Sequence, residues 1–233
     1  MIKEVIILAG GLGKRLRSVV DDLPKPMALI NNRPFLEYQF DYLISQGIEI
    51  AVLSVGYKHE IIRNHFGGKY KSLTLKYALE KEPLGTGGGI LKAMPFVEGD
   101  YVFIVNGDTL FKPNLKELYT FHQKKKADIT IALRIVKEAQ RYGIVSMNES
   151  ERVITFLEKN PQAGVGYINA GIYLMPTNII QTKIQQEKFS LEKDFFENYI
   201  EDLKIYGFPT ESYFIDIGVP EDYKKAQHEF KEF

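Results

Sequence analysis

"VIILAGGLGKRL", residues 5–16, decides how this chain is read. Five apolar residues run into Gly10, Gly11 and Gly13, and then into Lys14 and Arg15. The apolar run suits a buried strand, and the glycines suit backbone that must come close to something. Backbone N–H groups freed of neighbouring Cβ atoms, with two cations beside them, suit a phosphate chain. The spacing is not G-x-G-x-x-G, which excludes the dinucleotide fingerprint. Leu8 stands where an ATP-type P-loop needs glycine, and Arg15 where it needs serine or threonine, so that reading fails too. Ligands in open α/β sheets bind beyond the carboxyl ends of the strands, which is where this loop falls. A turn that only reverses the chain also accounts for three glycines.

Outward from this stretch, short apolar runs alternate with helix-period segments. "EVIILA", "IEIAVLSV", "LTLKYAL" and "DYVFIVNGD" read as strands. Between them, "PFLEYQFDYLISQG" places Leu36, Phe40, Leu43 and Ile44 on one helical face, with Pro34 in the first turn and Gly47 as a stop. "KHEIIRNHF", "TGGGILKAM" and "PNLKELYTFHQKKK" read as further helices. Strands separated in this way pair in parallel through right-handed crossovers. After residue 127 the rhythm changes to closely spaced β-like runs, "ADITIALRIV", "YGIVSM", "RVITFLE" and "GYINAGIYLM". Helical patterns return from about 177 to 201, "SYFIDIG" follows as a strand, and residues 220–232 read as a closing helix. The expectation is one α/β domain over 1–233, whose second half lays antiparallel strands over the sheet. The first half spans about 1–127, the β-rich part about 128–218, and the closing segment 219–233.

Composition narrows the classes. The 233 residues are 45% hydrophobic, and 30 Lys+Arg balance 30 Asp+Glu. No field of one sign is present to hold a nucleic acid by counterion release. No run approaches the ~20 apolar residues of a membrane span. With no cysteine there is neither a disulfide framework nor a thiolate metal site. A cytoplasmic protein with no nucleic-acid or membrane partner is expected. The four histidines have no mutual spacing that suggests a metal site and read as surface or helix residues.

Three further residues carry chemistry. Lys25, between Pro24 and Pro26, sits on stiff backbone suited to a point-charge phosphate contact. Asp108 follows "YVFIVNG", and Asp216 lies in "SYFIDIG". Carboxylates at strand ends beside a phosphate loop suit Mg²⁺, which takes few protein ligands and keeps waters and phosphate oxygens. An ordinary turn or helix N-cap is the competing reading of each aspartate.

The ordered motifs "LAGGLGKRL", "DLPKPM", "EPLGTGGGI", "VNGDTL", "YGIV", "FLEKNP", "YINAGIYL" and "DIGVPEDY" resemble those of sugar-1-phosphate nucleotidyltransferases, from residue 5 to about 223. "LRSVVDDLPKPMALINNRPFLEY" most resembles the branch that makes GDP-activated D-glycero-α-D-manno-heptose. The resemblance implies a Rossmann-like three-layer fold with a mostly parallel central sheet and an antiparallel β-rich sugar-binding part. It implies transfer of a nucleotidyl group from an NTP to a sugar 1-phosphate for cell-surface polysaccharide synthesis, with Mg²⁺ as cofactor. Leu8, Ala9, Gly10, Gly11, Gly13, Lys14, Gly85, Thr86 and Asn106 would bind the nucleotide. Arg15, Lys25 and Asp108 would be catalytic, and Asp108 with Asp216 would hold the metal. Gly143, Glu158, Lys159 and Asn169 would take the sugar phosphate. Lys14 departs from the threonine of many members and adds charge to the loop. The chain ends shortly after "DIGVPEDY", so no second, acyltransferase activity is expected, and a homodimer is a family-level expectation only.

The base reader is expected to be Glu80, which follows "LTLKYAL". A carboxylate only accepts, and guanine offers adjacent N1–H and N2–H donors, whereas uracil offers N3–H alone between two carbonyls. GTP is therefore the expected donor. The alternative leaves Glu80 on the surface and the base to backbone groups. Uridylyl transfer to an N-acetylmuramate or hexose 1-phosphate, a nucleotide-sugar glycosyltransferase and a non-catalytic nucleotide-sensing module are the other readings. "NGDTL" lacks the second aspartate of an Asp-x-Asp glycosyltransferase motif, and a sensing module would be expected to lose a charged catalytic position.

Overall fold

The computed structural model describes residues 2–11, 23–137, 139, 142–157 and 164–232. It begins with strand β1 (Glu4–Ala9), a 3-10 turn (Lys25–Met27) and the two-residue ribbon of β2 (Leu29–Ile30) and β3 (Arg33–Pro34). There follow α1 (Phe35–Ser45), β4 (Ile50–Val55), α2 (His59–Phe66), β5 (Lys69–Tyr70), β6 (Leu73–Leu79) and α3 (Gly85–Ala93). Next come β7 (Tyr101–Asn106), β8 (Thr109–Phe111), α4 (Leu115–Lys125), β9 (Ile129–Val136), β10 (Ile144–Met147), β11 (Val153–Leu157) and β12 (Gly166–Pro176). A π-helical turn (Leu191–Phe196) runs into the short α5 (Glu197–Tyr199), and β13 (Ile205–Thr210), β14 (Phe214–Asp216) and α6 (Pro220–Glu229) complete the order.

β1 is central because both of its faces are apolar: Val5, Ile6 and Ile7 are wholly buried. It pairs in parallel with β4 and with β7, and β4 pairs in parallel with β6. Side chains alternate across these strands. Val5, Ile7, Phe103 and Val105 pack toward Phe35, Leu36 and Phe40 of α1, while Ile6, Val102 and Ile104 pack toward Ile90 and Ala93 of α3 and toward Phe195 and Phe196. Two cores on opposite faces of one sheet make three layers, as the resemblance implies. Each fully buried Ile or Phe side chain contributes about 1.5–3 kcal/mol, so both faces hold the sheet in register.

The later strands continue this sheet instead of lying over it. β12 pairs antiparallel with β7, and β9 pairs antiparallel with β12. β10 joins the N-terminal end of β12 and carries β11. An edge element was missing from the sequence reading: β13 pairs in parallel with β9. Its Gly207 and Pro209 read as turn residues, yet proline is tolerated toward a sheet edge, and the second neighbour of this strand, at Arg152 and Glu151, meets Tyr206 and Gly207. The helix expected over 177–201 is confined to the π turn and α5, with turns over 177–183. Apolar residues at 189, 191, 195 and 196 are drawn into the core under α3, which a continuous surface helix would not allow. Pro34 is the N-cap of α1 and not a residue of its first turn. His122, on α4, is buried and paired to Thr130 Oγ1 through Nδ1 at 2.9 Å. Among the described residues no helix is long and apolar enough to cross a membrane.

Candidate active site

The carboxyl ends of β1, β6 and β7 open into a cleft of about 520 Å³. Leu8, Ala9, Gly10 and Gly11 form one wall; Glu80, Gly85 and Thr86 form another; Lys25, Asn106 and Asp108 close the floor. Ten of the residues singled out from sequence thus meet in one place. Gly13, Lys14, Arg15, Glu158 and Lys159 lie outside the described residues.

Lys25 is held by its own turn. The Met27 amide donates to the Pro24 carbonyl at 2.8 Å, and the Ala28 amide to that of Lys25 at 3.0 Å. Its ammonium donates to Asp108 Oδ2 at 2.9 Å, and the lysine side chain is only 12% exposed. Asp108 follows β7 on a turn clamped from below by Gln39 of α1, whose Nε2 donates to the carbonyls of Asn106 (2.7 Å) and Thr109 (2.5 Å). Gln39 was not singled out from sequence, since a glutamine in an amphipathic helix reads as a solvent-facing residue.

Asp216 reaches Asp108 through a ribbon. β14 pairs with β8, placing Asp216 opposite Thr109, and the Ile217 amide donates to the Asp108 carbonyl at 3.0 Å. Gly218 donates to Asp216 Oδ1 at 2.7 Å, and a Cβ there would stand 3.3 Å from Lys25 Nζ. The Asp108 carboxylate is thus paired with the Lys25 ammonium, and the Gly218 backbone lies between that ammonium and the Asp216 carboxylate. Asp216 itself lines a second cleft of about 670 Å³ with Arg134, Tyr142, Phe214 and Lys225. Gly143 adjoins Tyr142 at the entry to β10.

Among the described residues no three His, Asp or Glu side chains converge as a closed metal site. The hard carboxylate oxygens of Asp108 and Asp216, brought to one neighbourhood by the β8–β14 ribbon, fit Mg²⁺, which fills its remaining positions with water and phosphate oxygens. They do not fit a metal that demands a full set of protein ligands.

Glu80 is inside the cleft. Its Oε1 accepts from Ser54 Oγ at 2.8 Å, and its Oε2 from the Leu84 amide at 3.2 Å. Gly10 is needed here, because a Cβ would fall on Glu80 Oε1; at Gly89 the distance would be 3.1 Å.

The glycines of "GTGGG" also dock a second segment of the chain on the start of α3. The Gly87 and Gly88 amides donate to the Phe189 carbonyl at 3.1 and 3.4 Å, and a Cβ on Gly87 would overlap the Phe189 ring. Gly85 has φ +78°, and a Cβ there would run into the Phe189 carbonyl. Thr86 Oγ1 accepts from the Leu191 amide at 2.8 Å and donates to Glu192 at 2.9 Å. This first turn thus lines the cleft and carries the segment 189–192.

Asn169 lies at a bulge of β12, where the register to β9 shifts between Asn169 and Ile172. Its Oδ1 accepts from the Gly171 amide at 3.1 Å and its Nδ2 donates to Tyr173 Oη at 2.9 Å. Gly171, at φ +76°, leaves room for the amide of Asn106.

The chain is similar to known proteins in sequence and in fold. The family model described as nucleotidyl transferase matches residues 4–232. The chain is 50% identical over 230 residues, 99% of both chains, to the D-glycero-α-D-manno-heptose 1-phosphate guanylyltransferase of Aneurinibacillus thermoaerophilus. It is 45% identical to the Campylobacter jejuni enzyme of the same name, over 94% of this chain and 96% of that one. The crystal structure of HddC from Yersinia pseudotuberculosis superimposes with a TM-score of 0.90 at 36% identity, covering 98% of this chain and 100% of that one. A second HddC structure, complexed with GMP-PN, gives 0.87 at the same identity and coverage.

Proposed function

Because the chain belongs to the nucleotidyl transferase family, we propose that it transfers a guanylyl group from GTP to D-glycero-α-D-manno-heptose 1-phosphate. Pyrophosphate leaves and a GDP-sugar forms, of the kind used in cell-surface polysaccharide synthesis. The observation that carries this reading is one cleft uniting a lysine–aspartate pair with an acceptor-only carboxylate, Glu80. Two heptose 1-phosphate guanylyltransferases of matching length support the choice of both substrates.

The attacking oxygen of a sugar 1-phosphate is already anionic at neutral pH, so no strong base is required. The barrier lies in bringing two polyanions together and stabilising charge as it moves onto pyrophosphate. Gly10 and Gly11 let the loop backbone approach the triphosphate, and Lys25 places a point charge at the α-phosphate. Asp108 and Asp216 would hold Mg²⁺, which when bound neutralises phosphate oxygens and favours departure of pyrophosphate. Arg15 would brace the leaving phosphates with a bidentate fork. Glu80 reads guanine. Gly143, Glu158, Lys159 and Asn169 take the acceptor, with Lys159 on its phosphate and Glu158 on its hydroxyls. Residues 1–233 act as one transferase domain. A cytoplasmic setting, where GTP is made, accords with the cysteine-free composition.

The test is a grid of five NTPs against several sugar 1-phosphates, scored by pyrophosphate release. GTP with the heptose 1-phosphate should give the highest kcat/KM. Fastest turnover with UTP, or with a hexose 1-phosphate, would replace the substrate assignment, and no release from any pair would end the enzyme reading.

A further inference from the structure

We propose that Glu192 is a positioning residue that ties the nucleotide half of the site to the sugar-phosphate half. The inference rests on the reading above, in which the cleft that Thr86 lines takes the nucleotide and Asn169 takes the acceptor. Glu192 lies in the π turn, on the segment that covers the first turn of α3. Its carboxylate collects three hydroxyls: Oε2 accepts from Thr86 Oγ1 at 2.9 Å and Ser190 Oγ at 3.0 Å, and Oε1 accepts from Tyr173 Oη at 3.1 Å.

The direction of every bond in this chain is fixed. Thr86 accepts the Leu191 N–H, so its single proton goes to Glu192. Tyr173 accepts from Asn169 Nδ2, so its proton also goes to Glu192. Tyr173 is wholly buried, and burial together with the adjacent carboxylate pushes its phenol well above the ordinary value, which keeps it a donor. The Asn169 amide is thereby turned with its oxygen on the Gly171 N–H and its nitrogen on Tyr173. An ionised carboxylate only accepts, and no neutral side chain of the same shape can receive from all three hydroxyls. Glutamine would oppose an N–H to one of them, reversing a hydroxyl and releasing either Thr86 or the Tyr173–Asn169 pair. A polar network satisfied at every member is stiff, and one left partly satisfied is not.

A group that only fills space would not link two substrates kinetically; this one should. Tyr173→Phe, which cuts the acceptor branch, should raise KM for sugar 1-phosphate severalfold and leave KM for GTP unchanged. Thr86→Val should do the reverse. Glu192→Gln should move both and lower kcat about 10- to 100-fold, the scale of a small misplacement of reactants, while circular dichroism and cooperative unfolding are retained. A folded Glu192→Gln enzyme with altered KM for one substrate or neither overturns the proposal. If that variant does not fold, the Tyr173→Phe/Thr86→Val double variant decides: a loss in kcat/KM that departs from the product of the single losses supports coupling through Glu192, and a strictly multiplicative loss overturns it. If the wild-type protein releases no pyrophosphate from any pair, the functional reading has failed and the junction is read from calorimetric binding of GMP and of a sugar 1-phosphate to the same variants. Loss of affinity for both in Glu192→Gln supports it, and loss for one or neither overturns it.

Discussion

Replacing Glu80 by glutamine should erode the preference for GTP, and the structure sets how. A carboxylate has about four lone-pair positions. One on Oε1 goes to Ser54 and one on Oε2 to the Leu84 amide, which leaves one on each oxygen for the N1–H and N2–H of guanine. In the variant one oxygen becomes NH₂. The Leu84 amide can only donate, so it keeps the remaining oxygen. Ser54 has another outlet, since its hydroxyl lies 3.1 Å from the Gly89 carbonyl and can turn its proton there. The new NH₂ therefore takes the Ser54 side and meets one guanine donor with another.

One charge-assisted bond is lost and an opposition of donors replaces it, at a cost of about 1–3 kcal/mol. That converts to a fall of roughly 5- to 150-fold in the ratio of kcat/KM for GTP over UTP. UTP should lose little, because the carbonyls of uracil accept from an amide. The side chain should not wander, since Gly10 and Gly89 enclose it closely. The assay is pyrophosphate release with each nucleotide against one sugar 1-phosphate, with thermal unfolding as a check that the variant is folded. A wild-type enzyme that favours UTP, or a variant whose ratio is unchanged, would refute the reasoning.

Asp108→Asn should cost on the order of 10²–10³-fold in kcat, as loss of one electrostatic stabiliser does elsewhere, and chelator should abolish wild-type turnover until Mg²⁺ is returned; turnover that resists chelation would dismiss the metal assignment. Lys25→Ala should lower kcat by more than it raises KM for GTP, because a charge at the reacting phosphate acts mainly in the transition state; an effect on KM alone would reduce Lys25 to a binding residue. Burial pushes His122 down from 6.5 to about 4, with Asp128 acting weakly in the opposite sense. The neutral ring is thus favoured in the fold, stability is complete above pH 6.5, and it should fall by about 2 kcal/mol at pH 5 as the unfolded chain takes up the proton. Urea midpoints across that range should show the decline, and His122→Gln should flatten it; a wild-type profile flat from pH 7 to 5 would contradict the burial argument.

The parallel half of the sheet was legible because its signals are local. Apolar runs such as "VII" and "VFIV" are buried on both faces and need no alternation to be recognised. β13 was not legible, because its pairing to β9 depends on residues far along the chain while Gly207 and Pro209 signal a turn. Glu192 was hidden for a related reason. In "SLEKDFFEN" it reads as one of several charges on an exposed helix, and only the fold brings Thr86 and Tyr173 to it. Order along the chain singled out Thr86 and Asn169, but nothing local reveals that Glu192 bonds the one directly and the other through Tyr173.

On the proposed function, the antiparallel entry of β12 is what brings acceptor-side residues to the nucleotide end of the sheet. Had β12 run parallel to β7, its start would lie at the opposite edge from Asn106 and Asp108. Running antiparallel, it sets Ile172 against Val105, so Gly171 falls beside Asn106 and the residues before it project past the carboxyl end of β7. The bulge between Asn169 and Ile172 then adds residues on β12 that β9 does not match, which turns the Asn169 side chain relative to the regular pleat. A reversed strand with a bulge at its mouth thus brings a second set of side chains to the edge where the parallel strands end. The segment 189–192, docked on α3 and bonded to Tyr173, closes the gap between the two sets.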